Sequence, residues 1–257
     1  MTAHRFFLTA PLVQIPGGLL PLAAADVHHA VDVLRLRVGE AIDVVAPDGR
    51  VWSVVVTEAG SAGVFGDVLS EVPTARLPRV TLFQGVAKGD KMDDIVRQAV
   101  EVGAEAIVPV VTARSVVQLD ARKSAQRAQR WQRVALAAAK QAKRTSVPQV
   151  SAPVPLRDVI AELTAFDGAV VLWEECDGPG IVSAVRRCAT SPDARIALMV
   201  GPEGGFAAEE VEALVALGAT PATLGPTILR TETAAIVALA LAIGAMGGLG
   251  SQGDSDE

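Results

Sequence analysis

Tyrosine is absent from the 257-residue chain, and three Trp and six Phe are its only aromatic residues, too few for an extended base-stacking platform. Two cysteines, Cys176 and Cys188, cannot build a disulfide scaffold, and their spacing matches neither a zinc knuckle nor a CxxC redox pair. A reducing, cytoplasmic compartment follows. The three histidines, His4, His28 and His29, all lie near the N-terminus. Chemistry in the last two hundred or so residues must proceed without imidazole, which disfavours Ser-His-Asp hydrolases and His-ligated metal sites, and no metal is expected. The opening MTAHRFFLTAPL lacks the apolar core of a secretory signal. The longest apolar run, Ala234 to Leu249, is shorter than the roughly 18 residues of a membrane span, so no membrane partner is expected.

Half the residues are apolar and a fifth are charged, the composition of a soluble globular chain, and the net charge of −6 by itself argues against a nucleic-acid partner. That average conceals a segregation. Between Thr112 and Val150 nine Lys and Arg face a single acid, Asp120, whereas the chain beyond Ser151 is strongly acidic. At 100° per residue Arg130, Arg133, Lys140 and Arg144 fall on one face of a helix, beside an apolar stripe of Trp131, Val134, Ala135, Ala138 and Ala142. Such a row is either a solvated face or a polyanion-binding stripe. With no acids interleaved at i,i+4, its self-repulsion has to be offset from outside the helix.

The chain divides into two patterns. Up to residue 72, short β-rich runs (Phe6 to Leu8, Ala41 to Val45, Val51 to Thr57, Val64 to Leu69) surround one helix from Asp26, a candidate N-cap, to Leu36, which together suggest a small barrel. Residues 73–79, with Pro73 and Pro78, form a linker, and residues 250–257 a flexible tail. From 80 to 249 apolar strand candidates (Val80 to Val86, Ala106 to Val111, Ala169 to Trp173, Ile196 to Val200, Ala222 to Leu224) alternate with helices, the pattern of an α/β domain with a parallel sheet covered on both faces. Ligands in such sheets sit beyond the C-terminal strand ends, here after Trp173, Val200 and Leu224.

Two loops at those ends stand out. GPEGGF at 201–206 has three glycines in five positions and opens into a helix, but it has neither GxGxxG spacing nor a following Gly-Lys-Ser/Thr. GPTILRTETA at 225–234 starts the last helix at Thr231 or Glu232, with Arg230 just ahead. Each could be an ordinary strand-to-helix turn. A composite pocket is the reading that accounts for both.

GPEGGF at 201–206, LGPTILRTETAA at 224–235, KMDDIVRQAVEVGAEAIVPV at 91–110 and HHAVDVLRLRVGE at 28–40, in this order over nearly the whole chain, resemble the RsmE family of 16S rRNA (uracil-N3) methyltransferases in the SPOUT superfamily. The resemblance implies an N-terminal PUA-like RNA-binding barrel and a C-terminal SPOUT methyltransferase domain with a trefoil knot. It also implies a homodimer that transfers the methyl group of S-adenosyl-L-methionine to N3 of one uridine in the small ribosomal subunit. Another SPOUT activity (ribose 2′-O or tRNA base methylation), a non-catalytic RNA-binding assembly factor and a nucleotide-binding protein remain as alternatives.

Carried over residue by residue, the donor pocket falls on three segments. The first holds Leu172 and Glu174. The second holds Met199, Val200, Gly201, Pro202, Glu203, Gly204 and Gly205. The third holds Leu224, Gly225, Ile228, Leu229, Arg230, Thr231, Thr233 and Ala234. Losing the uracil imide proton requires a cation and a base; Arg230 is the candidate cation, Glu232 the base and Glu203 its reserve. RNA contact is assigned to Arg5, His28, His29, Arg35 and Arg37 in the barrel and to the row of Arg130, Arg133, Lys140 and Arg144. In that row the family's Glu-Gln-x-Gly-Arg pattern reads Lys140-Gln141-Ala142-Lys143-Arg144.

Overall fold

A computed structural model describes residues 4–115 and 121–249. The expected tail, 250–257, lies outside them. The chain forms two compact units, one of residues up to Ala75 together with Ala139–Val147, the other of Arg76–Ala138 and the chain from Pro148 onward.

The first unit holds β1 (His4–Phe7), β2 (Gly18–Leu19), α1 (Ala24–His28), β3 (Ala41–Val45), β4 (Val51–Gly60) and β5 (Gly63–Val72). Its five-stranded sheet runs β1-β3-β4-β5-β2, antiparallel except for the β1–β3 pair. Phe6, Ile42, Val44, Val54, Val56 and Val64 close its core. The helix differs from the sequence expectation. It starts two residues before Asp26, lacks a side-chain cap, and passes into a wider π-type turn over His29–Val33. Asp26 is buried instead and pairs with the Lys140 ammonium, so its carboxylate is used across the unit and not at the helix end.

The second unit holds β6 (Arg79–Gly85), α2 (Lys91–Val102), β7 (Ala106–Val111), α3 (Ala121–Gln141), β8 (Gln149–Val150), β9 (Val154–Pro155), α4 (Leu156–Glu162), β10 (Gly168–Leu172), α5 (Ile181–Cys188), β11 (Arg195–Val200), α6 (Ala208–Ala216), β12 (Thr220–Ala222) and α7 (Thr231–Ala245). The sheet order is β12-β10-β11-β6-β7-β8, with β9 also on β7, and every pair is parallel. The unit is thus of the α/β class.

Central β11 (RIALMV) is an unbroken apolar run after its first residue because both of its faces are covered. The last strand ends at Ala222 and not at Leu224. It is an edge strand, paired only with β10, and so tolerates Pro221. α2 buries Met92, Ile95, Val96, Ala99 and Val100, the spacing of one helical face, and stops at Gly103, whose φ of 129° suits glycine. α7 buries Ala235, Ala238, Leu239, Ala242 and Ile243 and packs on α2 and α5. Among the described residues no helix is long and apolar enough to cross a membrane.

Candidate active site

Parallel pairing of β12, β10 and β11 brings their C-terminal ends side by side, and the loops that leave them enclose a cleft of about 840 Å³. β6 lies next to β11, and a Cβ at Gly85 would collide with Pro202, so only glycine lets the 201–205 loop settle onto the end of β6. Below the loop, the fully buried Gln84 donates from Nε2 to Thr231 Oγ1 (3.0 Å), and Thr231 Oγ1 donates to the Gly201 carbonyl (2.6 Å). Within the loop the Gly205 amide donates to the Pro202 carbonyl (2.9 Å), and Gly205 takes a φ of 67°.

Most of the expected donor residues line this one cleft. Leu172 and Glu174 enter after β10; Val200, Gly201, Pro202, Glu203 and Gly205 after β11. Leu224, Gly225, Ile228, Leu229, Arg230, Thr231 and Ala234 enter after β12 and at the start of α7. Three do not line it. Met199 is fully buried in β11, Gly204 lies against Arg114, which donates to its carbonyl (3.0 Å), and Thr233 is within α7. The cleft also takes in Trp173, Cys176, Asp177 and Gly178, chain neighbours of residues already singled out. Lys91, which opens the 91–110 block of the resemblance but has no role assigned to it there, also lines the cleft.

Lys91 joins the two acidic candidates. Its Nζ lies 3.1 Å from Glu232 Oε2 and 3.3 Å from Glu203 Oε1. The Glu232 carboxylate first, then Glu203, holds the Lys91 ammonium above its ordinary range against the effect of desolvation. Glu232 is held below the usual carboxylate range by its own backbone amide foremost, then by Lys91 and Arg230, with desolvation opposing. For Glu203 burial is the largest effect and pushes upward, but its own amide, the Lys88 amide (3.1 Å) and Lys91 together prevail and the net direction is down. Both carboxylates are therefore ionised at neutral pH and weaker bases than free glutamate. Arg230 sits exposed at the N-cap of α7, with Glu232 in the first turn behind it.

Among known proteins, the RNA methyltransferase domain family matches residues 75–243 and the RNA methyltransferase PUA domain family residues 22–69. Ribosomal RNA small subunit methyltransferase E of Bacillus subtilis is 34% identical over 92% of this chain and 94% of its own. The chain belongs to the ribosomal RNA small subunit methyltransferase E family. The Mycobacterium bovis member is 36% identical over 93% of this chain and 90% of its own. The crystal structure of the Neisseria gonorrhoeae member, bound to S-adenosyl methionine, superposes with a TM-score of 0.80 at 29% identity, covering 93% and 96% of the two chains. The methyltransferase E resemblance read from the motifs, and the pairing of a small N-terminal PUA-like β domain with an α/β domain of SPOUT type, agree with these matches.

The residues assigned to RNA fall into two groups. His28, His29, Arg35 and Arg37 are exposed on α1 and the segment after it, His28 beside Asp32 (2.6 Å). Arg5 is turned inward onto Asp43 (3.0 Å) and the Lys143 carbonyl. In the basic row, Arg130 binds Asp90 (2.9 Å) and Asp93, Lys140 binds Asp26, and Arg144 is buried, which lowers the pKa of its guanidinium. The repulsion that α3 could not offset internally is thus met largely by acids of α1 and of the start of α2. Arg133 remains exposed, donating to the Gln129 carbonyl of its own helix (3.4 Å).

Proposed function

We propose that this chain uses S-adenosylmethionine to methylate N3 of a specific uridine in 16S rRNA of the small ribosomal subunit, acting in the cytoplasm as a homodimer. Family membership over both units supports rRNA methyl transfer, and the S-adenosyl methionine bound by the Neisseria relative supports the donor. The observation that carries the reading is the cleft, built from the three strand-end segments to which the resemblance assigns the donor, two of them bearing its motifs at 201–206 and 224–235.

The cleft's chemistry fits the donor. Close turns at Gly201 and Gly205 expose backbone groups, and a Cβ at Gly205 would come within 2.8 Å of Glu174 Oε1, so the space is kept open by the absence of side chains. Its lining carries Glu174, Asp177 and Glu203 against Lys91 and Arg230, and Lys91 is also paired with Glu232 beside the cleft, an excess of negative charge that suits a cationic ligand. Bound there, S-adenosylmethionine supplies an electrophilic methyl group.

The protein's own contribution is positioning and electrostatics. Arg230, at the mouth of the cleft, stabilises charge on the uracil oxygens as the imide proton is lost. Glu203 and Glu232, ionised and paired, orient their loops; pairing leaves them weaker bases than free glutamate, and the imide proton is assigned to bulk solvent rather than to either carboxylate. Val237 and Leu241, exposed on α7, offer apolar surface for an isologous dimer interface. Nucleoside mass spectrometry of 16S rRNA from cells with and without the gene tests the whole reading. One 3-methyluridine present only with the gene is expected; a different methylated nucleoside, or none, refutes it.

A further inference from the structure

Lys91 occupies the first position of α2, where a cation faces the positive end of the helix dipole. Helix formation therefore does not account for it. Its ammonium reaches two carboxylates from separate segments, Glu203 in the loop after β11 and Glu232 in the first turn of α7. The other charged groups nearby are committed or lie elsewhere on the lining. Asp90 and Asp93 are held by Arg130, Lys88 offers Glu203 its backbone amide, Arg230 precedes Glu232, and Glu174 and Asp177 line the cleft from the loop after β10.

We propose that Lys91 is a positioning residue for methyl transfer. By pairing with Glu203 and Glu232 together it holds the 201–205 loop to the start of α7 and cancels charge that would oppose ionisation of the target uracil. The proposal rests on the uridine reading above. In that ionisation the N3–H bond breaks, its electron pair stays on the ring and spreads to the flanking carbonyl oxygens, and the proton passes to water. Two uncompensated carboxylates, Glu203 in the lining and Glu232 beside it, would disfavour the anion.

In the native protein Lys91 titrates above its ordinary 10.5 and both acids below 4.5, so the triad keeps one charge state through the neutral range. Without the ammonium, Glu203 and Glu232 become like-charge neighbours. One of them then gains a proton more readily, and the two titrate as a pair shifted toward neutral pH.

Lys91→Met and Lys91→Arg separate this from a merely structural role. The first readout is a titration of ¹³Cδ-labelled glutamate in the free protein by NMR, which needs neither RNA nor donor. The second is the pH–rate profile on small ribosomal subunits, with donor affinity from calorimetry. Lys91→Met should move one carboxyl titration at least about one pH unit upward, lower turnover about 10²-fold at neutral pH and make that deficit relative to wild type shrink as the pH falls through the shifted titration; Lys91→Arg should restore all three. If Lys91→Met does not fold, Lys91→Gln takes its place in the same titration. Unshifted carboxyl titrations, or a rate deficit relative to wild type that does not change with pH, overturn the proposal. A shifted titration beside a wild-type protein that makes no 3-methyluridine overturns the uridine reading and leaves the charge coupling standing.

Discussion

Gln84 and Thr231 lie 147 positions apart, yet Gln84 Nε2 donates to Thr231 Oγ1 over 3.0 Å in a buried hydrogen bond that ties the end of β6 to the start of α7. Thr231 passes the link on to the Gly201 carbonyl, so one hydroxyl serves two walls of the cleft. Thr231→Val keeps the shape and removes the hydroxyl, while Gln84 Nε2 keeps the Gly85 (2.9 Å) and Gly201 (3.3 Å) carbonyls, so each group loses a partner without being left unsatisfied. The net loss of such a hydrogen bond costs about 0.5–1.5 kcal/mol. Urea unfolding should show a loss of that size and calorimetry a several-fold weaker donor. A variant with wild-type midpoint and affinity would mean that the tie does not hold the cleft.

Gly205 makes the sharper test of the loop. Its φ of 67° disfavours any L side chain, and the Cβ of alanine would press on the Glu174 carboxylate at 2.8 Å. The left-handed conformation alone costs about 1–2 kcal/mol. Gly205→Ala should weaken donor binding by about tenfold or more with the far-UV circular dichroism unchanged. Gly204→Ala, outside the cleft lining and 3.1 Å from Arg114 Cβ, should weaken it less. Equal losses in the two variants would refute the assignment of Gly205 to the donor wall.

The glycine loop and the strand before it were legible because local chemistry favours them: a short apolar run bounded by turn signals reads as a covered strand, whereas the longer run of α7 is a helix, and closely spaced glycines mark a tight turn. Lys91 and Gln84 were not legible. Their partners are more than a hundred positions away, and nothing in KGDKMDD or LFQG distinguishes them from an ordinary helix start and strand end. The basic row was legible as a pattern but incomplete as an inference, since the acids that neutralise Arg130 and Lys140 come from α2 and α1. Periodicity assigns a face; it does not reveal what packs on that face. The same limit applies to Asp26, a good cap by residue type that tertiary pairing with Lys140 takes elsewhere.

Lys143 is one of two non-glycine residues with positive φ, at 53°, among the described residues, and it stands where the family's pattern has glycine. The conformation is strained for lysine, while the backbone carbonyl there accepts from Arg5, so the turn cannot relax freely. Lys143→Gly relieves that strain at the cost of a more flexible unfolded chain. The net gain should be up to about 1 kcal/mol, read as a higher urea midpoint at unchanged slope. A lowered midpoint would show that the lysine side chain contributes more than its backbone loses.

Arg133 is the member of the basic row whose side chain makes no ion pair among the described residues, and it stays exposed on α3. If α3 binds RNA, Arg133 can neutralise a phosphate without first giving up an acid, whereas Arg130 must release Asp90 and Asp93 and Lys140 must release Asp26. The exchange of one anionic partner for another gains little, because both states hold the cation beside a negative group. Removing one phosphate-neutralising cation lowers the slope of log affinity against log salt by about 0.7 to 0.9. Arg133→Ala should therefore reduce the slope by about that amount with donor affinity unchanged, and Arg130→Ala should reduce it by clearly less. Cations on phosphates position an RNA without reading it, so the weakening at Arg133 should be similar for 16S fragments and unrelated RNA of equal length. Filter binding across a salt series decides the matter: equal slopes for wild type and Arg133→Ala would make the row a solvated face, and an Arg130 effect as large as that of Arg133 would mean that RNA opens the Asp90–Asp93 pair on binding.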